Sequence, residues 1–240
     1  MLSNKLYANH PEYQKMVYNN IMDVHNKDLM PINHVNYLKK LKEIVDFHPR
    51  VCYDIGACVL HWTRHAESIW PNTKVILFDA FEPASFLYKN HDHYVGVLSD
   101  EDNKEIKFYQ NDLLFGGNSY YKEHDMKDRE VYFPEENHLV KITRSLDSIV
   151  LERNFPLPDL IKIDVQGAEL DILKGATKVL EHAKLLLIEL QDQEYNQGAP
   201  LVNITRKYLE DLGWECTTEK FSNNGPDADY CFVNKKLVIQ

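Results

Sequence analysis

No apolar run of about 18 residues occurs in the 240-residue chain, which excludes a membrane-spanning helix. The opening MLSNKLYANH lacks both an apolar core and a small-residue cleavage site, so it does not read as a secretory leader and a cytoplasmic location is expected. Lysine and arginine number 27 against 37 acids, for a formal charge of −10. That balance disfavours a nucleic-acid partner, because phosphate binding depends on clustered cations that release counterions. The four cysteines show no C-x-x-C spacing and read as reduced thiols. Glycine is scarce, at nine residues, and neither the G-x-G-x-x-G of dinucleotide sites nor the P-loop pattern occurs.

What is present is an ordinary globular composition, 44% hydrophobic and 27% charged, long enough for one large core. Two amphipathic helices come first. Tyr13, Met16, Val17, Ile21 and Val24 share a face of one, Val35, Leu38, Leu41 and Val45 a face of the next, and Pro11 and Pro31 sit near their starts. From residue 50 strands alternate with helices: VCYDI (51–55), VILFDAF (75–81), YVGVLS (94–99), EIKFYQ (105–110), LVKITRSL (139–146), LIKID (160–164), LLLIEL (185–190), WECTT and YCFVN. A single helix is expected from about Gly167 to Glu181. The pattern predicts an α/β fold over 50–240, a mostly parallel sheet with helices on both faces, behind an N-terminal helical appendage at 1–49. The aromatic-rich, aperiodic segment from about Asn111 to Asn137 reads as a functional loop.

Ligands of such sheets sit beyond the carboxyl ends of the strands. Asp54, Glu82, Asp100, Asp164 and Glu189 stand at five of those ends. Gly56 permits close backbone approach, and Glu82 is placed to accept hydrogen bonds from two ribose hydroxyls. With no pyrophosphate motif, the implied cofactor is an adenosine compound lacking pyrophosphate, which points to S-adenosylmethionine. In LIKIDVQGAELDILKGA (160–176), period two puts Lys162 and Asp164 on one side of the strand. A buried ammonium needs a carboxylate, either Asp164 or an acid on a neighbouring strand such as Glu189. One reading is a structural ion pair. The other has Asp164 and Glu189 facing a reactive methyl group, as base, orienting group or ligands to a divalent metal. Glu169 either complements its helix dipole or meets substrate. Asn118 and Ser119, in GGNSYY with Tyr120 and Tyr121, are candidates to close over substrate, and EYNQGAP (194–200) is a candidate acceptor wall. His61 with His65, and HDH (91–93), match no zinc spacing.

The blocks VCYDIGACVL, FDAFEP, VLSDEDNKEIKFY, TRSLDSI, LIKIDVQGAELDILKGA, LLLIELQ and LGWECTT…DADYCFVN resemble, in this order, the FkbM-type methyltransferases, over roughly residues 50 to 234. The resemblance implies a class I methyltransferase (Rossmann-like) fold, S-adenosylmethionine as cofactor, and a small-molecule or glycan acceptor methylated on a hydroxyl. It places Asp54, Gly56, Ala57 and Cys58 in the cofactor loop, Glu82 at the ribose, Ser99 and Asp100 by the adenine, and Asp164 and Val165 beside the donor. Lys162, Asp164 and Glu189 are then the expected catalytic groups, and Asn118, Ser119, Gln166 and Glu169 the expected substrate contacts. Two departures stand out. Cys58 and Leu60 occupy places where the family usually has Asn and Gly, and Gln166 stands where many members have Glu; an amide cannot take a proton. Those departures keep a second reading open, a cofactor-binding scaffold without catalysis.

Overall fold

In the computed structural model, which describes residues 10–124, 132–223 and 225–238, β1 (Val51–Ile55) runs through the middle of a seven-stranded sheet. Residues 1–9 and 125–131, the latter within the aromatic-rich segment, lie outside the described residues. Helices α1 (Pro11–His25) and α2 (Ile32–Glu43) precede β1. After it come α3 (His61–Ile69), β2 (Lys74–Asp79), a 3₁₀ segment (Glu82–Tyr88), β3 (Asp92–Val95), β4 (Val97–Leu98), β5 (Glu105–Tyr109) and β6 (His138–Arg144). The chain continues with α4 (Leu146–Arg153), β7 (Leu160–Ile163), α5 (Glu169–Lys174), α6 (Thr177–His182), β8 (Leu185–Gln191), α7 (Val202–Asp211), β9 (Trp214–Asn223), β10 (Asp227–Asn234) and α8 (Lys235–Val238). The main sheet has the order β3-β2-β1-β7-β8-β10-β9, with β10 antiparallel to both its neighbours and the other pairings parallel. A small sheet, β4-β6-β5, stands beside it.

Alternation along the strands sorts the side chains into two cores. Tyr53, Ile55, Ile76, Phe78, Ile161, Ile163, Leu186 and Ile188 face α4, α5, α6 and α7. Cys52, Val75, Leu77, Leu160, Leu185, Leu187 and Cys231 face the other way, where Val17, Ile21, Leu38 and Leu41 of the first two helices and Trp62 and Ala66 of α3 cover them. The amphipathic faces expected of α1 and α2 are therefore largely spent on the sheet, except that Met16 stays exposed and Val45 lies exposed beyond the end of α2.

Two expected elements are divided, each for a local reason. YVGVLS breaks at Gly96: β3 pairs with β2, while β4 leaves to pair with β6. The helix expected over 167–181 breaks at Gly175 into α5 and α6. The Gly175 backbone passes so close to β4's exit that a Cβ would stand 2.2 Å from the Ser99 carbonyl oxygen. Asp147 then caps α6 from α4, accepting the N–H groups of Lys178 (2.9 Å) and Val179 (3.1 Å).

The register stacks two layers at the carboxyl edge on the α1–α3 face. Leu77, Asp54, Lys162, Leu187 and Cys231 pair successively across β2, β1, β7, β8 and β10. One step further along come Asp79, Gly56, Asp164, Glu189 and Asp229. Gly56 is the gap in that outer layer. It has φ +82°, and a Cβ there would meet the Asp164 carbonyl oxygen at 1.8 Å, a backbone atom that cannot swing aside. Gly56→Ala is therefore expected to cost at least about 2 kcal/mol, the left-handed penalty plus the clash. Urea denaturation checks this; a midpoint unchanged from the parent protein contradicts it.

Candidate active site

The inner layer carries one cation in a face otherwise apolar or acidic. Lys162 is 6% exposed, and its Nζ lies 3.4 Å from Asp54 Oδ1, 3.4 Å from Asp164 Oδ2 and 3.1 Å from the Gly56 carbonyl oxygen. Burial alone would lower the lysine pKa, but Asp164, Asp54 and then Glu189 overcome it and hold the ammonium charged beyond its ordinary range. Of the two partners expected for this lysine, Asp164 is in contact; the neighbouring-strand partner is Asp54 rather than Glu189. Asp54 is fully buried and also accepts the Thr63 hydroxyl, so it anchors the loop from beneath.

In the outer layer Asp164 and Glu189 behave oppositely. Burial pushes the Asp164 carboxyl up, but the Lys162 charge and hydrogen bonds from Glu189, Gln166 and Lys162 bring it below the usual aspartate range. Glu189 is pushed well above the glutamate range by burial and then by the Asp164 charge it hydrogen-bonds. One proton between them, carried by Glu189, satisfies both trends. Gln166 fixes the pair: its Nε2 donates to Asp164 Oδ1 (3.2 Å) and to Glu189 Oε2 (2.9 Å). The Asp164 side chain remains 38% open, toward a cavity.

That cavity, about 260 Å³, lies over the carboxyl edge. It is lined by Asp79, Gly56, Cys58, Asp164, Val165, Gln166 and Glu189, and by the apolar side chains of Val97, Leu98, Phe108 and Ile172. Asp79 Oδ2 accepts the Cys58 N–H at 2.7 Å and Oδ1 the Phe81 N–H at 2.6 Å; burial pushes its carboxyl up. Phe81 and Phe115 stack at 5.2 Å on one wall. A smaller cavity of about 150 Å³ adjoins it, sharing Gly56, Cys58, Asp164 and Glu189 and adding Ala57, His34, His61, Lys162 and Asp229. An open cleft reaches the same place from outside, meeting Cys58, Phe115, Gly116 and Gln166 and lined further out by Leu113, Leu114, Glu123, Tyr132, Phe133 and Tyr195.

Several expected site residues sit elsewhere. Glu82 lies three residues past the end of β2 and lines a separate cleft with Tyr13, Tyr18 and Phe86; the acid that β2 itself delivers to the cavity is Asp79. Ser99 and Asp100 are bonded to each other (3.1 Å) behind the wall, where Gly96, Val97 and Leu98 take the lining positions. Glu169 is turned inward, accepting the N–H groups of Val165 (3.1 Å) and Gly167 (3.2 Å), and so shapes the Asp164–Gly167 turn from within. Leu60 is buried in the core with α1–α3 rather than crowding the cavity.

Asn118, Ser119 and Tyr120 do line the cavity. Asn118 Oδ1 accepts the Asn111 N–H at 2.7 Å, while its buried Nδ2 makes no hydrogen bond among the described residues. The Tyr120 and Tyr121 hydroxyls both donate to Asp171, at 3.2 and 2.8 Å, which ties this loop to α5. EYNQGAP is held against the same loop through Asn196 Nδ2 and the Tyr121 carbonyl (2.8 Å). His61 and His65 bond separately to Val24 O and Asp28, and His91 to Glu67. No three metal-binding side chains converge among the described residues.

Asp79, Asp229 and His34 were not anticipated. Asp79 could have been found by parity, since it lies two residues beyond Leu77 on the same face of β2. Asp229 required knowing that the last strand is antiparallel and enters the sheet at the edge where the others leave.

Two expectations follow. Lys162→Met removes the counter-charge of Asp54 and Asp164 and is expected to cost about 3–5 kcal/mol in urea unfolding; a loss below about 1 kcal/mol contradicts the ion-pair account. Glu169 is raised to about 7 by burial, against which the three backbone N–H bonds work. Because its folded pKa exceeds its unfolded one, its protonation favours the fold at low pH. That contribution is lost as pH rises from the ordinary glutamate range through about 7. Glu169→Gln should therefore gain relative stability across that window, on the order of 3 kcal/mol at most. A difference between the two proteins that does not vary with pH rules this out.

Comparisons with known proteins bear on the family and the fold. Residues 54–216 match the methyltransferase FkbM domain. A 48-residue stretch is 38% identical to the hexuronic acid methyltransferase AglP of Haloferax volcanii, a match spanning only about a fifth of either protein. The fold is similar to an O-methyltransferase from Bacillus cereus solved in complex with SAH, with TM-score 0.51 and 12% identity over 97% of this chain and 94% of that one. It is similar also to cofactor-bound Rv0187 from MTB, with TM-score 0.51 and 10% identity over 96% and 94%. These neighbours establish the class I methyltransferase fold, and with the family match covering well over half its length, the chain belongs to the methyltransferase FkbM domain family.

Proposed function

We propose that this protein is an S-adenosylmethionine-dependent O-methyltransferase acting on a hydroxyl of a sugar or glycan. The observation that carries the reading is the outer layer at the sheet edge: Asp79, the gap at Gly56, and Asp164 with Glu189 border a single cavity that apolar side chains also line. The residues present fit the cofactor. Asp79 is placed to accept hydrogen bonds from ribose hydroxyls, Val97, Leu98, Phe108 and Ile172 to sandwich a purine, and Asn118 Nδ2 offers a donor not otherwise used among the described residues. Gly56, Ala57 and Cys58 would hold the amino-acid end beside the smaller cavity. When bound, the sulfonium supplies an electrophilic methyl group.

The rest of the chemistry belongs to the chain. Asp164 keeps its lone pairs, because Lys162 stabilises its charge and Glu189 carries the proton. Ionised and open to the cavity, it is suited to accept a hydrogen bond from the acceptor hydroxyl and orient it for in-line transfer, while Gln166 holds both carboxylates in place. The acceptor approaches through the outer cleft, whose Tyr132, Phe133 and Tyr195 rings and Glu123 carboxylate are the kinds of group that pack against sugar rings and bind their hydroxyls. The similarity to a hexuronic acid methyltransferase supports a sugar, though over a short stretch. Gln166 Nε2 already donates to both carboxylates, so transfer is expected to persist in excess chelator.

Calorimetric titration should show binding of S-adenosylmethionine and S-adenosylhomocysteine and none of NAD. Asp79→Asn is expected to weaken that binding about 10- to 100-fold by removing a charged hydrogen-bond acceptor, whereas Glu82→Gln stays within about twofold of the parent. Labelled-methyl transfer to a panel of glycosides completes the test. Equal loss in both variants defeats the ribose assignment, and binding with no transfer to any glycoside defeats the sugar reading.

A further inference from the structure

β7, β8 and β10 place Asp164, Glu189 and Asp229 side by side at one level of the sheet: Ile163 pairs with Ile188, and Glu189 with Asp229. Adjacent strands lie about 4.8 Å apart, so three carboxylates in such a row cannot all ionise cheaply out of water. The two outer members have donors of their own. Asp164 has Lys162 at 3.4 Å. Asp229 has His34, whose Nδ1 lies 3.0 Å from its Oδ2, and both residues are buried. The other nitrogen of that imidazole, Nε2, receives the Trp62 indole N–H at 3.0 Å. An indole N–H can only donate, so Nε2 presents a lone pair and the ring hydrogen is on Nδ1, directed at Asp229. Trp62 thereby makes His34 a fixed donor rather than a base. His34 and Asp229 both fall outside the residues that match the family, 54–216, and both border the smaller cavity together with Asp164 and Glu189.

We propose that Trp62, His34 and Asp229 form a positioning chain that keeps the row's proton on Glu189 and so leaves Asp164 ionised to orient the hydroxyl at the transfer site. Glu189 also accepts the Gln166 amide at 2.9 Å, but it alone has a carboxylate on either side, so the middle member takes the proton and donates it to Asp164. Helix α2 thus acts on the chemistry through its contact with Asp229. The role of Asp164 rests on the methyltransferase reading above; the location of the proton does not. Glu189 is faced by Asp164 and Lys162 from β7, by Asp229 and Asp227 from β10, and, around the shared cavity, by Cys58, His61 and His34.

The proton can be followed without any acceptor substrate. In protein labelled with carboxyl-¹³C glutamate, the Glu189 resonance is the one lost in Glu189→Gln, and its shift is recorded against pH. In the parent protein it should titrate well above the ordinary glutamate range. His34→Leu and Asp229→Asn should each lower its midpoint by about one pH unit or more, a tenfold change in proton affinity. His34→Asn retains a donor toward Asp229 and should keep the parent midpoint. A midpoint unmoved by both His34→Leu and Asp229→Asn overturns the proposal, as does His34→Asn behaving like His34→Leu. Should His34→Leu fail to fold, Asp229→Asn decides alone. Because the resonance is read on the protein by itself, this outcome is separate from whether a glycoside is methylated.

Discussion

The structure depends on one ammonium group placed where an apolar side chain would be ordinary. Lys162 sits in the second-last layer of the sheet edge, touching Asp54 on β1, Asp164 at the end of its own strand, and the Gly56 carbonyl of the intervening loop. Taken out of water alone it would cost several kcal/mol. Paired three ways, it ties two strands and the cofactor loop to a common point. Its charge helps bring Asp164 below the usual aspartate range, while burial and then the Asp164 charge push Glu189 above the glutamate range. The ion pair, one of the two readings the sequence offered for this stretch, is present; the other, Asp164 and Glu189 facing a reactive methyl group, is the proposal built on it. The lysine itself borders only the smaller cavity, so it acts through Asp164.

Much of this was legible before any coordinates. Period two put Lys162 and Asp164 on one face, hydrophobic periodicity located the first two helices, and VCYDI was bounded to the residue. What the pattern could not show was where strands stop. The acid after the second strand was read as Glu82 because FDAF continues the apolar run, but β2 ends at Asp79 and the chain turns there, with the Phe81 N–H folded back onto the Asp79 carboxylate. Similarly, YVGVLS is one run in the sequence and two strands in space, since Gly96 lets the chain pass from one sheet to another. That transfer moves Ser99 and Asp100 behind the wall. Asp229 was invisible for a topological reason: the N-terminal end of an antiparallel strand lies at the carboxyl edge of its parallel neighbours.

Local polar bonds account for the remaining differences. A helix over 167–181 satisfies every periodicity argument, yet a carbonyl from another segment occupies the space a side chain at Gly175 would need, and Asp147 is in place to cap a second start. Glu169 shows the same priority. At a helix N-terminus it would be expected to complement the dipole in solvent; instead it is 5% exposed and bonded to the Val165 and Gly167 N–H groups. Buried backbone donors must be satisfied, and here a side chain of the helix satisfies those of the loop before it.

The backbone conformations bear on the departures from the family pattern. Among the described residues six non-glycine positions have φ in the left-handed region; Asp46, Asn103 and Asn154 are types that tolerate it. The other three are Cys58 (φ 47°), Leu60 (φ 68°) and Gln166 (φ 60°), the positions at which this chain departs from its family. Each costs on the order of 1 kcal/mol to hold there, and each has an identifiable compensation. Cys58 gives its N–H to Asp79, Leu60 buries its side chain against α1–α3, and Gln166 donates to two carboxylates. A glutamate in place of Gln166 would add another acid beside Asp164 and Glu189 and would need a proton of its own, whereas the amide brings donors and no charge. The substitution that first looked like a lost catalytic group is thus consistent with a site whose proton is already assigned.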